Sequence, residues 1–448
     1  MVDATKRSVK VLMLPWLAHG HISPFLELAK KLTLTHRNFH IYLCSSPVNL
    51  DSIKSKLLFD PKLINSIELV ELHLPELPEL PPQNHTTKGL PPHLLPTLMK
   101  AFELTKSNLF NILETLKPDF IIHDFLPSWV PHLASSLNIP NIAFITSGAS
   151  IICFSFHFQK NTIDEFPFPE ICLDSLIQEF NRMRESSLIN NTGGDPHQFY
   201  NRSCKIILIK SFRELEGKYM DYLSSSFGKK IVPVGPLVPD PVDDDEGIDI
   251  IKWLDKKEKS STIFVSFGTE CYLSKEDLEE MAHGLELSKV NFIWVVRFPE
   301  GEKVKLEDAL PKGYLERVRD RGMIVENWAP QVKILNHPSI GGFLSHCGWG
   351  SFMESIKFGV PIIAMPMQFD QPLNARLAEI CGIGLEIKRS KNNGGIEREV
   401  VAKVIEEVVV EERGVNIRKK TREMSDHIRM KGEEEIDGVV EELLKLNL

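Results

Sequence analysis

Apolar and polar positions along the chain fall into two alternating rhythms. Short apolar runs rich in β-branched residues recur between longer stretches where apolar residues stand three or four apart. Unbroken apolar runs suit strands buried on both faces of a parallel sheet, and the longer period suits the helices that cover those faces. The first half predicts strands at Val9–Leu14, His40–Cys44, Phe120–His123 and Asn141–Ile145. Ser23 is placed to cap the first helix, with Pro24 at its first position and Phe25, Leu28, Ala29 and Leu32 on one face. The irregular stretches Pro75–Pro92 and Phe166–Gly194 predict long loops, the expected walls of a substrate pocket.

The rhythm breaks at Val234–Glu246, VGPLVPDPVDDDE, where proline and acid displace core residues and mark a linker. It then resumes, with strands predicted at Thr262–Phe267, Asn291–Val296, Met323–Glu326, Gly341–Ser345, Pro361–Met365 and Gly384–Ile387. Helices fit Lys275–Leu287, Gln331–Leu335, Phe352–Phe358 and Leu373–Ile380, and the charged tail from Glu397 is helical almost throughout. The expected architecture is α/β, two Rossmann-like doubly wound parallel-sheet domains facing a cleft. Its boundaries are an N-terminal domain over 1–235, a linker over 236–249 and a C-terminal domain over 250–430. A final helix over 431–448 is expected to pack back on the first domain.

Composition narrows the class. With 448 residues, 42% hydrophobic and 25% charged, the chain suits two globular domains, and a net charge of −9 argues against nucleic acid as a partner. Seven cysteines without a C-x-x-C pair fit a reducing compartment. Lys6, Arg7 and Lys10 before Val11–Ala18 resemble a signal peptide, but Pro15 breaks the run and no small-residue cleavage site follows. The sequons beginning at Asn84, Asn190 and Asn201 then carry no meaning, and no apolar run is long enough to span a membrane. A cytoplasmic monomer is expected. The D-x-D pair Asp243 and Asp245 could hold a metal ion in other settings, but in an acidic linker it reads as solvated, and no metal is expected.

The densest chemistry lies in Trp328–Gln371, WAPQVKILNHPSIGGFLSHCGWGSFMESIKFGVPIIAMPMQFDQ. A strand runs into His346-Cys347-Gly348-Trp349-Gly350-Ser351 and then a helix. Small residues let the backbone approach a ligand, and a helix N-terminus offers N–H groups and a positive dipole end to an anion. His346 and Ser351 add side-chain donors, making a diphosphate cradle. Trp328 offers a flat face to a base, Glu354 acceptors to a ribose, and Asp370 and Gln371 polar groups to a sugar.

This segment, with PWLAHGHISP near the start and the VSFGT strand–loop, resembles the plant family-1 UDP-glycosyltransferases over the whole chain. The resemblance implies a GT-B fold, a UDP-sugar donor, inversion at the anomeric carbon and no further cofactor. It puts Trp328 and the Ala329 backbone on uracil, and Gln331 and Glu354 on the ribose. Phosphate would be held by Thr269, His346 and Ser351, with the Trp349 and Gly350 backbone nearby. Asp370, Gln371 and Thr146 would face the transferred sugar, and Gln371 leans toward UDP-glucose. Most members have Asn where this chain has Gly350. Gly or Ser there, with this opening strand and loop, resembles the branch that extends sugar chains on existing glycosides. The expected acceptor is therefore a terpenoid or flavonoid glycoside.

An acceptor hydroxyl needs a base as it attacks. His19 and His21 are both expected in the loop after the first strand, and the family pattern G-H-x-x-P selects His21. Its imidazole needs a carboxylate partner. Asp124 lies at the carboxyl end of its strand and matches the family position, whereas Asp119 precedes the strand and reads as a turn residue. Rival readings are a UDP-sugar epimerase or hydrolase, a transferase acting on the bare aglycone, and a binding protein without chemistry. The presence of both His21 and Asp124 disfavours the last.

Overall fold

The computed structural model describes residues 8–36, 38–58, 61–160, 166–172, 176–178, 205–242, 244–299, 304–390 and 394–446. They form two units, one of residues 1–167, 174–237 and 431–448, the other of 168–173 and 238–430.

In the first unit seven parallel strands pair in the order β3-β2-β1-β4-β5-β6-β7. They are β1 (Val9–Leu14), β2 (Phe39–Ser45), β3 (Ile67–Glu71), β4 (Phe120–Asp124), β5 (Asn141–Ile145), β6 (Ile206–Ile209) and β7 (Lys230–Pro233). The period of two along β1 decides its packing: Val11 and Met13 enter one core with Phe25 and Leu28, while Leu12 and Leu14 enter another with Leu98, Phe102 and Leu109. Ile436, Val439, Val440 and Leu443 join the core of Val11 and Met13.

The second unit holds six parallel strands in the order β10-β9-β8-β11-β12-β13. These are β8 (Thr262–Ser266), β9 (Asn291–Val296), β10 (Gly322–Glu326), β11 (Ile340–Ser345), β12 (Ile362–Ala364) and β13 (Gly384–Glu386). Here too the faces alternate, Ile263 and Val265 against one layer and Phe264 against the other.

The helices that matter below are α1 (His19–Thr35), α2 (Ala149–Lys160), α3 (Arg213–Phe227), α4 (Lys275–Leu287), α5 (Trp349–Lys357), α6 (Gln371–Cys381), α7 (Arg398–Val409) and α8 (Glu412–Lys445). Ser274 caps α4, its hydroxyl accepting from the Asp277 N–H at 3.1 Å.

One helix start departs from expectation. α1 begins at His19, not at Ser23, and its N-cap is Ala18, which makes no side-chain bond. The first turn is closed by backbone alone, Ile22 N–H donating to the Ala18 carbonyl at 2.9 Å. Pro24 is thus inside the helix, where it forgoes one bond to the Gly20 carbonyl. His19 and His21 accordingly sit on the first turn of α1 and not in a loop.

The linker is less solvated than its composition suggests. Val234, Leu237 and Val238 are buried, Lys357 binds Asp240 at 2.6 Å, and Lys333 binds Asp244. Asp243 lies outside the described residues, as do Cys204, the sequons at Asn190 and Asn201 and most of the Phe166–Gly194 loop. Among the described residues no helix is long and apolar enough to cross a membrane.

Candidate active site

Both strand orders reverse direction once, between β1 and β4 in the first unit and between β8 and β11 in the second. At such a reversal the loops leaving two adjacent strands diverge and open a crevice at their carboxyl ends. His21 and Asp124 stand at the first of these points and Thr269, His346 and Ser351 at the second, while Trp328, Ala329 and Gln331 follow β10 and Asp370 and Gln371 follow β12.

In the first unit Asp124 ends β4 and is fully buried. Its Oδ2 lies 2.7 Å from His21 Nδ1 and accepts the Trp16 N–H at 3.3 Å, while its Oδ1 accepts the Leu126 N–H at 3.2 Å. Trp16 leaves β1 and His21 opens α1, so one carboxylate ties both sides of the switch together. The His21 side chain keeps 22% of its surface exposed, and its ring lies 5.8 Å from that of Phe125. With Nδ1–H donated to Asp124, the lone pair of a neutral imidazole resides on Nε2, the arrangement of a general base. Thr146, just past β5, is buried with Oγ1 2.9 Å from His21 Nδ1. The structure therefore gathers His21, Asp124 and Thr146 into one cluster. Asp119 is elsewhere, its Oδ2 accepting the Lys10 N–H at 2.8 Å at the opposite end of the strand.

In the second unit Ser345 pairs with Ser266 at the last level of β11 and β8, and both chains turn away beyond it. Thr269 follows β8 and is half-buried. Gly268 has φ +74°, and a Cβ there would stand 2.8 Å from His346 Cε1. A Cβ on Gly348 would stand 2.6 Å from His346 Nε2. The imidazole is thus wedged between two glycines that only glycine can replace without movement. Burial pushes its pKa down to about 4, so it is neutral at physiological pH and can act as an N–H donor. Cys347 adopts φ +64°, which turns the chain into α5. Gly348 is the N-cap of α5 and has no side chain to occupy the N–H groups of the first turn, where Trp349, Gly350 and Ser351 stand. A Cβ on Gly350 would meet nothing within 4 Å.

Around this turn, Gln331 donates through Nε2 to Glu354 Oε2. Trp328 is 56% exposed after Asn327, whose φ is +66°, and Ala329 beside it is buried. Asp370 is the N-cap of α6 and its Oδ2 accepts from Asn374 Nδ2 at 3.0 Å. Gln371 is buried, and its amide oxygen accepts the N–H groups of Met367 at 2.9 Å and Gln368 at 3.0 Å. No group of three or more His, Cys, Asp or Glu that could hold a metal occurs among the described residues.

Family models match both halves, one described as "Glycosyltransferase, N-terminal domain" over 7–239 and one as "UDP-glucoronosyl and UDP-glucosyl transferase" over 237–414. The chain is 54% identical to a mogroside IIIx synthase of Siraitia grosvenorii, over 99% of this chain and 94% of that one.

The chain belongs to the UDP-glycosyltransferase family.

Other relatives of this glycosyltransferase include a beta-D-glucosyl crocetin beta-1,6-glucosyltransferase of Gardenia jasminoides, 50% identical over 97% of this chain and 98% of that one. A cyanidin-3-O-glucoside 2-O-glucuronosyltransferase of Bellis perennis is 45% identical over 98% and 97%. Among solved structures, Phytolacca americana UGT2 complexed with UDP-2fluoro-glucose and pterostilbene is similar with a TM-score of 0.79 at 27% identity, covering 98% of this chain and 100% of that one. These likenesses establish the enzyme class and the two-domain GT-B fold.

Several parts of the glycosyltransferase site escaped the sequence. The wedge of Gly268 and Gly348 on His346 joins residues of two strands that only the fold brings together. Asn374 lies just past the recognisable segment and bonds back into it.

The depressed His346 pKa has a consequence for stability. The folded chain leaves this imidazole neutral down to about pH 4, whereas the unfolded chain protonates it near the ordinary histidine value. Its contribution is therefore complete above that value and is lost as pH falls toward 4, at up to about 1.4 kcal/mol per pH unit. Urea unfolding of wild type and His346→Gln from pH 7.5 to 4.5 should give curves that converge as pH falls. Parallel curves would show that the ring is not desolvated.

Proposed function

We propose that the enzyme transfers glucose from UDP-glucose, with inversion, to a sugar hydroxyl of a small hydrophobic plant glycoside. The observation that carries the catalytic reading is the 2.7 Å contact of His21 Nδ1 with fully buried Asp124. In this reading His21 Nε2 takes the proton of the acceptor hydroxyl as its oxygen attacks the anomeric carbon on the face opposite the diphosphate. The bond from that carbon to the diphosphate oxygen breaks, and its electron pair leaves with UDP. Asp124 stabilises the imidazolium, and Thr146 Oγ1 stands beside the same Nδ1 edge of the ring.

The leaving diphosphate is received by the N–H groups at the start of α5, the hydroxyls of Ser351 and Thr269, and neutral His346, which donates without adding a charge. Trp328 and the Ala329 backbone take the base, Gln331 and Glu354 the ribose, and Asp370 and Gln371 the glucose. The protein acts as a monomer in the cytoplasm on this reading.

The acceptor proposal draws on two supports. Two of the relatives carry a glycoside in their names as the molecule acted on, glucosyl crocetin and cyanidin-3-O-glucoside. In this chain the absence of a side chain at Gly350 leaves open space where a larger residue would fit. Transfer directly to the aglycone is the competing reading.

Replacing the base should separate chemistry from binding. His21→Ala is expected to lower kcat by roughly 10²–10⁴-fold while UDP affinity, read by calorimetry, stays within about twofold. Asp124→Asn should be similarly impaired and Asp119→Asn nearly normal. Retained turnover in His21→Ala would transfer the role to His19.

No divalent ion takes part in the proposed transfer. The rate in excess EDTA should match the untreated rate, and a collapse reversed by Mg²⁺ or Mn²⁺ would reopen the acidic linker as a metal site.

For the acceptor, kcat/KM with UDP-glucose is to be compared for a terpenoid or flavonoid aglycone and its monoglucoside, with the new linkage mapped by NMR. At least a tenfold preference for the monoglucoside, with the new bond on its sugar, is expected, since a site built for a hydroxyl rejects the analogue lacking it strongly. Faster transfer to the bare aglycone would overturn the acceptor reading and leave the catalytic one intact.

A further inference from the structure

Asn374 sits on the first turn of α6 with no exposed surface. Its Nδ2 donates to two acceptors, the Cys347 carbonyl at 3.0 Å and Asp370 Oδ2 at 3.0 Å. A carbonyl and a carboxylate can only accept, so the amide must face them with its nitrogen. That orientation leaves Oδ1 buried without a partner. A buried acceptor with no partner costs stability. An apolar residue of the same size would avoid that cost if only packing were at stake.

The two bonds have a particular geography. Cys347 holds the left-handed conformation that turns β11 into α5, and thereby aims the first N–H groups of that helix. Asp370 is the carboxylate assigned above to the transferred sugar, and its own backbone begins α6. A carbonyl in a left-handed turn is released from the sheet ladder, so a side-chain donor is what keeps its peptide plane fixed. The same amide nitrogen fixes the rotation of the carboxylate. A single planar group with two hydrogens therefore sets the phosphate-facing turn and the sugar-facing acid relative to each other.

We propose that Asn374 is a positioning residue for the donor, holding the Cys347 turn and the Asp370 carboxylate in one register so that diphosphate and sugar are gripped together. The inference rests on the donor-site reading given above. It requires that part of the effect of Asn374 pass through Asp370, which a residue serving the core alone would not show.

The test uses the full chain and a double-mutant cycle. Asn374→Ala, Asp370→Ala and the double variant are compared by kcat and KM for UDP-glucose and by UDP affinity, with folding checked by thermal melting. Asn374→Ala is expected to weaken UDP binding about three- to tenfold and to lower kcat/KM for UDP-glucose by about 100-fold. In the Asp370→Ala background the same change should cost no more than the UDP-binding factor, because the carboxylate it orients is gone. Multiplicative losses, or an Asn374→Ala enzyme within threefold of wild type, would overturn the proposal. Should Asn374→Ala fail to fold, Asn374→Leu keeps a similar volume, removes both donated hydrogens without adding a charge beside Asp370 and is read by the same criteria. Normal activity in Asp370→Ala and His346→Ala would sink the donor-site reading and this inference with it. Impairment of those two beside a normal Asn374→Ala would sink this inference alone.

Discussion

A carboxylate without exposed surface at the end of β4 sets the terms for the first unit. Removing Asp124 from water would cost several kcal/mol if nothing compensated it. The Trp16 and Leu126 N–H groups and His21 Nδ1 all converge on it, and charge-assisted bonds of this kind are the strong ones. The compensation fixes three things together: the exit of β1, the turn after β4 and the orientation of the imidazole. It is available only because β1 and β4 are neighbours whose connections run in opposite directions. In another strand order the start of α1 would not stand beside the end of β4.

The second unit repeats the topology with the opposite electrostatics. At its reversal, between β8 and β11, the ring is neutral and is held by shape, with Gly268 on one side and Gly348 on the other. Burial that would be ruinous for a charged group is here the device, because it keeps His346 a neutral donor. Attraction for an anion then falls to backbone N–H groups at the start of α5, which carry partial charge and do not titrate. One scaffold thus yields an imidazole paired with a buried carboxylate at one reversal and an imidazole held by shape at the other.

Much of this was legible in the sequence where the signal was local. The predicted strands recur within a residue or two, because a strand buried on both faces must be an apolar run. The start of α1 was misread for an instructive reason: Ser23 and Pro24 carry the usual marks of a helix start, but His21 is held by Asp124 one turn earlier, and that tertiary bond favours helix from His19. β3, β6 and β7 stand outside the strands predicted; β3 and β7 are the edges of their sheet, and Glu68 interrupts the apolar run of the first while Pro233 closes that of the second. Of the candidate site, Gln331 and Glu354, both assigned to the ribose by the resemblance, meet in space through a side-chain hydrogen bond. Thr146 was placed toward the sugar, yet it lies beside His21 Nδ1, a contact between loops more than a hundred residues apart.

The loop carrying Thr146 has its own anchor, and it follows the logic of Asp124. Glu216 in α3 is fully buried and accepts the N–H groups of Ala149 at 2.7 Å and Ser150 at 2.8 Å and the Ser211 hydroxyl at 2.7 Å. It supplies from a distant helix the N-terminal acceptors that α2 lacks in its own first turn, and Glu216 itself leaves helical geometry at φ −130° to do so. Burial still holds its pKa above the ordinary value, so the donors offset desolvation only in part. Two buried carboxylates therefore tie the loops after β1, β4, β5 and β6 at the same edge of one sheet. Loops pinned in this way cannot reshape themselves around different acceptors. The pinning continues between Pro75 and Pro92, where the Thr87 N–H donates to the Leu17 carbonyl at 2.9 Å and the Ser46 hydroxyl to the His85 carbonyl at 2.7 Å. His21 and Asp124 are thus held within a network of ties that reaches well beyond their own contact.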